Sequence, residues 1–503
     1  MPTPKEETGA RRAPQRVSLK MPVIGMESEF NVWLDEVEIN PEPYWKHPRA
    51  FIDAPLLDRE KTSSHIPTGG AVYFDRGVIE VVTPVIELAG ESTARMVRNL
   101  WEQIGFVRDQ LTKWETRSGH TVRLKAYSSH YNISYEIPKG QQTAKRNEKA
   151  LALLLAYILP VPVMLAGANR RSTGVGVRPR GSRIEVTVDF TPDPGLMVAT
   201  ATLIVGIVRE VMSWPSYDLS LLRELPIPVI AGVVPGKHTT RKGWLTKDFH
   251  YPQSPYTCDI NAPIWTTQYG QSKSLRQIGR EVAWFFRRGI RRYADPFSTR
   301  LLFAIMTGRA PSMLELADRP AAYEDVGRLC RWGMVIEELL HLHREKQTTI
   351  EHHLIERQKA RAAHLVEMES VNAVAETKKG IAEIVAPPPA RPRATSDGRG
   401  LMQYLDRRGT ALLPKRVMRE RRRVAERRRN AYAVPYPDRR LTRSAYEQVF
   451  LRLVSGGRLR VDNDLYRPVG MKGWYHAIFR RESDGAERLM TIDQLLQKMN
   501  DWT

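Results

Sequence analysis

The chain has 503 residues, 42% hydrophobic and 26% charged, a composition ordinary for a globular protein and long enough for more than one domain. Its formal charge of +21 is not ordinary, and favours an acidic partner: nucleic acid, an anionic surface or an acidic protein. Two cysteines, Cys258 and Cys330, give no disulfide framework and no thiolate metal spacing, which points to a reducing cytoplasm.

Residues 1–20 are polar and basic without an apolar stretch, so they read as a disordered arm and not as a secretory signal. The run Met21-Pro22-Val23-Ile24 then leads into Gly25-Met26-Glu27-Ser28-Glu29-Phe30. On a strand, Glu27 and Glu29 point to one face, and two adjacent carboxylates repel unless a cation lies between them. A solvated edge strand would look the same, so E-x-E alone decides nothing. Residues 31–68 are proline-bearing and read as loop. Two short strands around Arg76-Gly77 follow, the first with Tyr73 and Asp75 on one face and the second carrying Glu80, closed by Pro84.

Glu91 to Trp114 is an amphipathic helix, with Met96, Leu100, Ile104, Val107 and Leu111 on one face and Gly119 as a stop. A strand over 122–135 places His130 and Asn132 on a common face. Residues 150–168 approach the ~20 apolar residues of a membrane span, but Pro160 and Pro162 break the run, so a buried core helix is expected. A basic, glycine-bearing stretch, 170–180, precedes the alternating strand 182–190, whose Ile184, Val186, Val188 and Phe190 oppose Arg183, Glu185, Thr187 and Asp189. Helices are predicted at 198–212, 274–290 and 324–370. The expected organisation is a main domain over 21–384, a proline-rich linker at 385–400, a basic segment at 401–443 and a small α+β module at 444–503.

Four strands thus each carry polar residues on one face: Glu27 and Glu29; Asp75 with Glu80; His130 and Asn132; Arg183 with Glu185. Carboxylates with an imidazole suit Mg²⁺ or Mn²⁺ bound jointly with nucleotide phosphates. An antiparallel sheet with one helix-covered face would gather them in a trough.

These residues resemble a known family. Gly25-Met26-Glu27-Ser28-Glu29-Phe30 is similar to the G-[IT]-E-x-E-[FY] strand that opens the Pup ligase and depupylase family, within the glutamine synthetase-like carboxylate–amine ligases. Gly70-Ala71-Val72-Tyr73-Phe74-Asp75, with Glu80 and Thr83-Pro84, resembles its N-G-A-R-x-Y-x-D…H-P-E-Y stretch. Tyr127-Ser128-Ser129-His130-Tyr131-Asn132 resembles Y-G-x-H-E-N-Y, and Ser172-Thr173-Gly174-Val175-Gly176 with Ile184-Glu185-Val186 resembles T-G-x-G…I-E-V. The chain departs where the family's His-Pro is Val78-Ile79, where the Glu after the histidine is Tyr131, and in having no T-R-D-E-P-H-A loop after strand 182–190.

The resemblance implies an α+β fold, with helices on one face of a curved antiparallel sheet, and ATP with Mg²⁺ (or Mn²⁺) as cofactors. It implies Glu27, Glu29, Glu80, His130 and Glu185 as metal ligands. His130, Asn132, Ser172, Gly174, Gly176 and Arg178 would contact nucleotide, and Asp75 and Arg183 would be catalytic. The implied reaction is amide or isopeptide formation through an acyl phosphate, with a small acidic Pup-like protein as carboxylate donor and a lysine or free amine as acceptor. A depupylase-like amide hydrolase is the alternative within the class; the short interval from Glu29 to Gly70 favours the ligase. Outside it stands a basic nucleic-acid-binding protein with a degenerate ligase fold, using the arginines of 421–423 and 427–429. His341, His343, His352 and His353 read as a solvated helix face, and no membrane association is expected.

Overall fold

The computed structural model describes residues 21–59, 63–170, 172, 174–191, 194–238, 243–246, 249–315 and 444–502. The expected helix 324–370, linker 385–400 and basic segment 401–443, with Cys330 and the four histidines, lie outside them.

The main sheet is built from β1 (Val23–Leu34), β2 (Val37–Ile39), β3 (Leu57–Asp58), β4 (Ser64–His65), β5 (Ala71–Asp75), β6 (Val78–Val82) and β7 (Ile86–Glu87). It continues through β8 (Val122–Ser134), β9 (Gly176–Pro179), β10 (Arg183–Asp189), β11 (Lys237–His238) and β12 (Gly243–Leu245). The order is β11-β12-β9-β10-β8-β1-β6-β5-β4-β3, antiparallel throughout, with β2 and β7 also on β1. β1 is its axis: β8 pairs along it on one side, and β7, β6 and β2 share the other. The Arg76-Gly77 turn has positive φ at both positions, 48° and 96°, the geometry that matches the twist of a two-residue hairpin. The Thr83 hydroxyl accepts the Met26 N–H at 2.9 Å and so holds the chain to β1 where β6 ends.

Alternation sorts β1 cleanly. Met26, Ser28, Phe30 and Val32 are fully buried against the helices, while Glu27, Glu29 and Asn31 face the other way, half-buried. The covering helices are α2 (Ser92–Ser118), α3 (Glu148–Ile158), α4 (Pro160–Gly167) and α5 (Pro194–Met212); the small α1 (Pro41–Trp45) and α6 (Leu221–Glu224) lie elsewhere in the chain. α2 packs on β1 and β6, α5 on β8 and α4 on β10. α2 ends at Gly119 in the left-handed region, φ 74°, as its sequence predicts. The apolar run is two helices bent by 63° at Pro160, all but buried, and α5 is the one described helix long and apolar enough to cross a membrane. Its apolar window is 89% buried inside the protein, which is how a core helix is placed.

An outer layer of α7 (Leu275–Phe285), α8 (Arg287–Tyr293) and α9 (Pro296–Met306) packs on α4 and α5. The predicted helix 274–290 is therefore two, broken at Phe286, and α9 was not predicted although Asp295-Pro296 is a helix-start signal. Gly206 and Gly289 let α5 and α8 touch: a Cβ on Gly206 would sit 2.5 Å from the Ile290 Cα. Residues 31–68 hold more structure than the expected loop, with β1 running on to Leu34 and α1 capped by Asn40.

The hairpin β13 (Trp265–Thr266) and β14 (Ser272–Lys273) stands apart. The C-terminal module is α10 (Ala445–Val454), the antiparallel meander β15 (Leu459–Val461), β16 (Asp464–Lys472), β17 (His476–Arg481) and β18 (Glu487–Thr491), then α11 (Ile492–Gln497). This is the α+β composition expected for 444–503 from the sequence. Tyr446, Phe450, Phe479 and Ile492 form its core, which is continuous with Val23 and Leu57 of the main sheet. Glu447, fully buried, accepts hydrogen bonds from Asn99 Nδ2 at 2.8 Å and Arg98 Nη2 at 3.3 Å and so fastens the module to α2.

Candidate active site

Antiparallel register turns the alternation along each strand into rows across the sheet. The first row runs Val82, Glu27, His130, Thr187 and Gly176 over β6, β1, β8, β10 and β9. Beside it runs Tyr73, Glu80, Glu29, Ser128 and Asp189 over β5, β6, β1, β8 and β10. On the other flank lie Gly25, Asn132, Glu185 and Arg178. All the strand-borne site residues predicted from sequence therefore share the face turned away from α2 and α5.

Side-chain contacts link them. Asn132 Nδ2 donates to Glu27 Oε1 at 2.8 Å, and Arg183 Nε donates to Asn132 Oδ1 at 2.6 Å. The Tyr73 hydroxyl donates to Glu27 Oε2 at 3.3 Å, and Ser128 Oγ to Glu29 Oε2 at 2.5 Å. The His130 ring sits between the two carboxylates, Nδ1 at 3.6 Å from Glu27 Oε2 and Nε2 at 3.6 Å from Glu29 Oε1. Sequence reasoning had not assigned roles to Tyr73 and Ser128, although strand alternation places both beside residues it singled out.

The electrostatics are those of a crowded, partly desolvated acidic site. Burial, then the negative charge of Glu27, pushes the Glu80 carboxyl up to about 10. Burial would raise Glu27 as well, but the His130 ring 3.6 Å away and the positive charge of Arg183 hold it down at about 2. Burial disfavours the His130 imidazolium, yet Glu27, Glu29 and Glu185 outweigh that and raise it. A proton on Glu80 thus moderates the crowding of carboxylates, with the His130 ring lying between Glu27 and Glu29.

The other predicted residues are placed differently. Glu185 is fully buried and paired with Arg178 and with Arg180 Nε, the latter at 3.1 Å, so two arginines already neutralise it. Arg178 is correspondingly engaged. Asp75 is exposed at the end of β5, near enough to act on Glu80 electrostatically. Ser172 Oγ accepts the Gly174 N–H at 3.0 Å within a local turn, and Gly174 has φ 115°, a conformation glycine adopts without strain. Gly176 lies flat beneath Thr187, where a Cβ would be 2.2 Å from Thr187 Oγ1.

Among the described residues no three His, Cys, Asp or Glu side chains converge as a ready metal cage. The donors are nonetheless hard oxygens, and Mg²⁺ needs only one or two protein carboxylates when phosphates and water complete its shell. The buried Glu80 carboxyl, set opposite Glu29 and beside Glu27, supplies oxygen donors of that kind. At the Gly25 end of the trough, an open cleft joins Glu27, Asn132 and Arg183 to an apolar wall that includes Ile24, Val85, Trp474 and Tyr475. The last two come from the C-terminal module, and nothing local in the sequence connects them to the trough.

Fold and site define an α+β protein whose antiparallel sheet carries a charged trough on one face and helices on the other. No protein-family model and no curated protein matches the chain. Among solved structures it is similar to the crystal structure of the complex between the prokaryotic ubiquitin-like protein Pup and its ligase PafA. The identity is 12% and the TM-score 0.41, over 95% of this chain and 92% of that one. A likeness at that level fixes no function, and the case for one stands on the trough itself.

Proposed function

We propose that the trough is the site of an ATP- and Mg²⁺-dependent carboxylate–amine ligase. The observation that carries the reading is Glu80, 3% exposed and directly opposite Glu29, in a row beside Glu27 and His130. A buried carboxylate cluster of this kind accommodates a divalent cation in place of protons. One or two of the Glu27, Glu29 and Glu80 carboxylates would hold the metal beside His130, with phosphate oxygens and water completing its shell. The metal, when bound, neutralises phosphoryl oxygens during transfer. The apolar wall with Trp474 and Tyr475 suits a nucleobase, beside charged groups that suit its phosphates.

The chain's own residues supply the rest. A substrate carboxylate attacks the γ-phosphorus of ATP, giving an acyl phosphate and ADP. Arg183, held by Asn132 Oδ1, neutralises charge developing on the transferring oxygens. An amine then attacks the acyl carbon, phosphate leaves, and the Asp75 carboxylate accepts the amine proton. The formal charge of +21 favours a small acidic, Pup-like protein as carboxylate donor, with a lysine or free amine as acceptor. The test is calorimetric ATP binding with and without Mg²⁺ for the wild type and for E27A/E29A. Mg²⁺-dependent binding should vanish in the variant; its survival there would end the reading.

A further inference from the structure

On the opposite side from the trough, separated from the sheet by α4 and α5, the outer helices carry a concentrated positive charge. Between Arg276 and Arg300 there are seven arginines, no lysine and only two carboxylates. Arg276 is paired with Glu315, while Glu281 is taken by Lys273 and Asp295 caps α9 through the Phe297 and Ser298 N–H groups. The remaining six, Arg280, Arg287, Arg288, Arg291, Arg292 and Arg300, have no carboxylate partner among the described residues, and all but Arg287 are exposed.

An aromatic surface lies among them. Trp284 is 56% exposed, far more than a core tryptophan, with the Arg287 guanidinium 5.3 Å from its ring and Phe303 of α9 edge-on at 5.9 Å. Arg280, Trp284, Arg287 and Arg291 follow steps of four, three and four residues, one stripe along the outer surface of α7 and α8. The reverse side, with Ile278, Val282, Phe286 and Ile290, is buried, so the fold spends its apolar residues inward and leaves this tryptophan out.

We propose that the outer face of α7, α8 and α9 binds single-stranded nucleic acid. Guanidinium forks grip phosphates bidentately, and the exposed part of the Trp284 indole offers a platform for an unstacked base. A polyacidic peptide would satisfy the arginines but would leave Trp284 without a role, and a duplex keeps its base faces stacked. The surface is independent of the trough and of the ligase reading.

The test uses the full chain and a fluorescein-labelled oligo(dT) in anisotropy titrations over a range of NaCl. Wild type should bind with a steep salt dependence. R287A/R291A should weaken binding at least tenfold and lower the slope of log K against log[salt] by about 1.4, two single-strand phosphate contacts. W284A should cost about tenfold with the slope unchanged, the mark of lost stacking. R422A/R428A, removing equal charge from the other arginine run, should leave affinity intact. The proposal is overturned if wild type does not bind, if the loss follows R422A/R428A instead, or if polyglutamate of equal charge displaces the oligonucleotide as well as unlabelled oligo(dT) does. Equal dependence of phosphatidylserine-vesicle binding on Arg287, Arg291 and Trp284, without oligonucleotide binding, overturns it too.

Discussion

Glu29 and Glu80 stand directly opposite each other across the β1–β6 ladder, both on the trough side of the sheet. Like charges in that position destabilise a sheet. Here burial and the charge of Glu27 resolve the conflict by keeping Glu80 neutral up to about 10, while the flanking carboxylates raise His130, whose ring lies between Glu27 and Glu29.

The pH dependence of stability follows. The Glu80 carboxyl is raised in the folded state above the ordinary ~4.3 of glutamate. Its contribution is therefore fully present below the ordinary value and is lost as pH rises towards about 10. Without divalent cation, thermal stability should fall across that window, and E80Q, which cannot ionise, should flatten the fall. Added Mg²⁺ should stabilise the wild type more at pH 9 than at pH 6 and E80Q much less. Coincident melting profiles of wild type and E80Q would rule this out.

The chain Arg183–Asn132–Glu27 should matter for turnover more than for folding. Arg183→Lys keeps the charge but loses the Nε donation that orients the side chain on Asn132. Steady-state ATP turnover should drop about 10- to 100-fold, the usual cost of losing an orienting or charge-stabilising donor, with the melting temperature nearly unchanged. Turnover at the wild-type level would remove Arg183 from the mechanism.

Trp474 should act on affinity. Trp474→Ala removes part of the cleft's apolar wall and should weaken ATP binding about tenfold. Because Trp474 also packs on His65 and Phe450, at 4.9 and 5.6 Å between ring centroids, melting should be recorded alongside. An unaltered dissociation constant in a folded variant would show that nucleotide does not use this wall.

Glu447 should be a stability residue with no role in chemistry. It is fully buried, accepts from Arg98 and Asn99, lies 3.7 Å from Arg95, and closes the capping box of α10 with Ser444. Glu447→Ala strands buried donors and should cost about 3–5 kcal/mol in urea unfolding. A loss under about 1 kcal/mol would mean that the module is held chiefly by its apolar contacts.

Much of the framework was legible in the chain because its signals are local. The strand at Glu27, the hairpin at Arg76-Gly77, the α2 stop at Gly119 and the broken helix at Pro160 each depend on residues within a turn or two. Within the C-terminal meander β16 is harder to read: it contains Pro468 and Gly470, which weaken a strand pattern, and a register shift occurs between them.

Alternation along single strands determined which face each of Glu27, Glu29, Glu80, His130 and Asn132 would take. Only the tertiary structure decided who meets whom. Pairing register sets Glu80 against Glu29 and His130 between two carboxylates. It also gives Glu185 to Arg178 and Arg180, and brings Trp474 to a cleft that begins at Val23. Those contacts join residues that no local period relates, because register and packing, not sequence spacing, fix distances between strands.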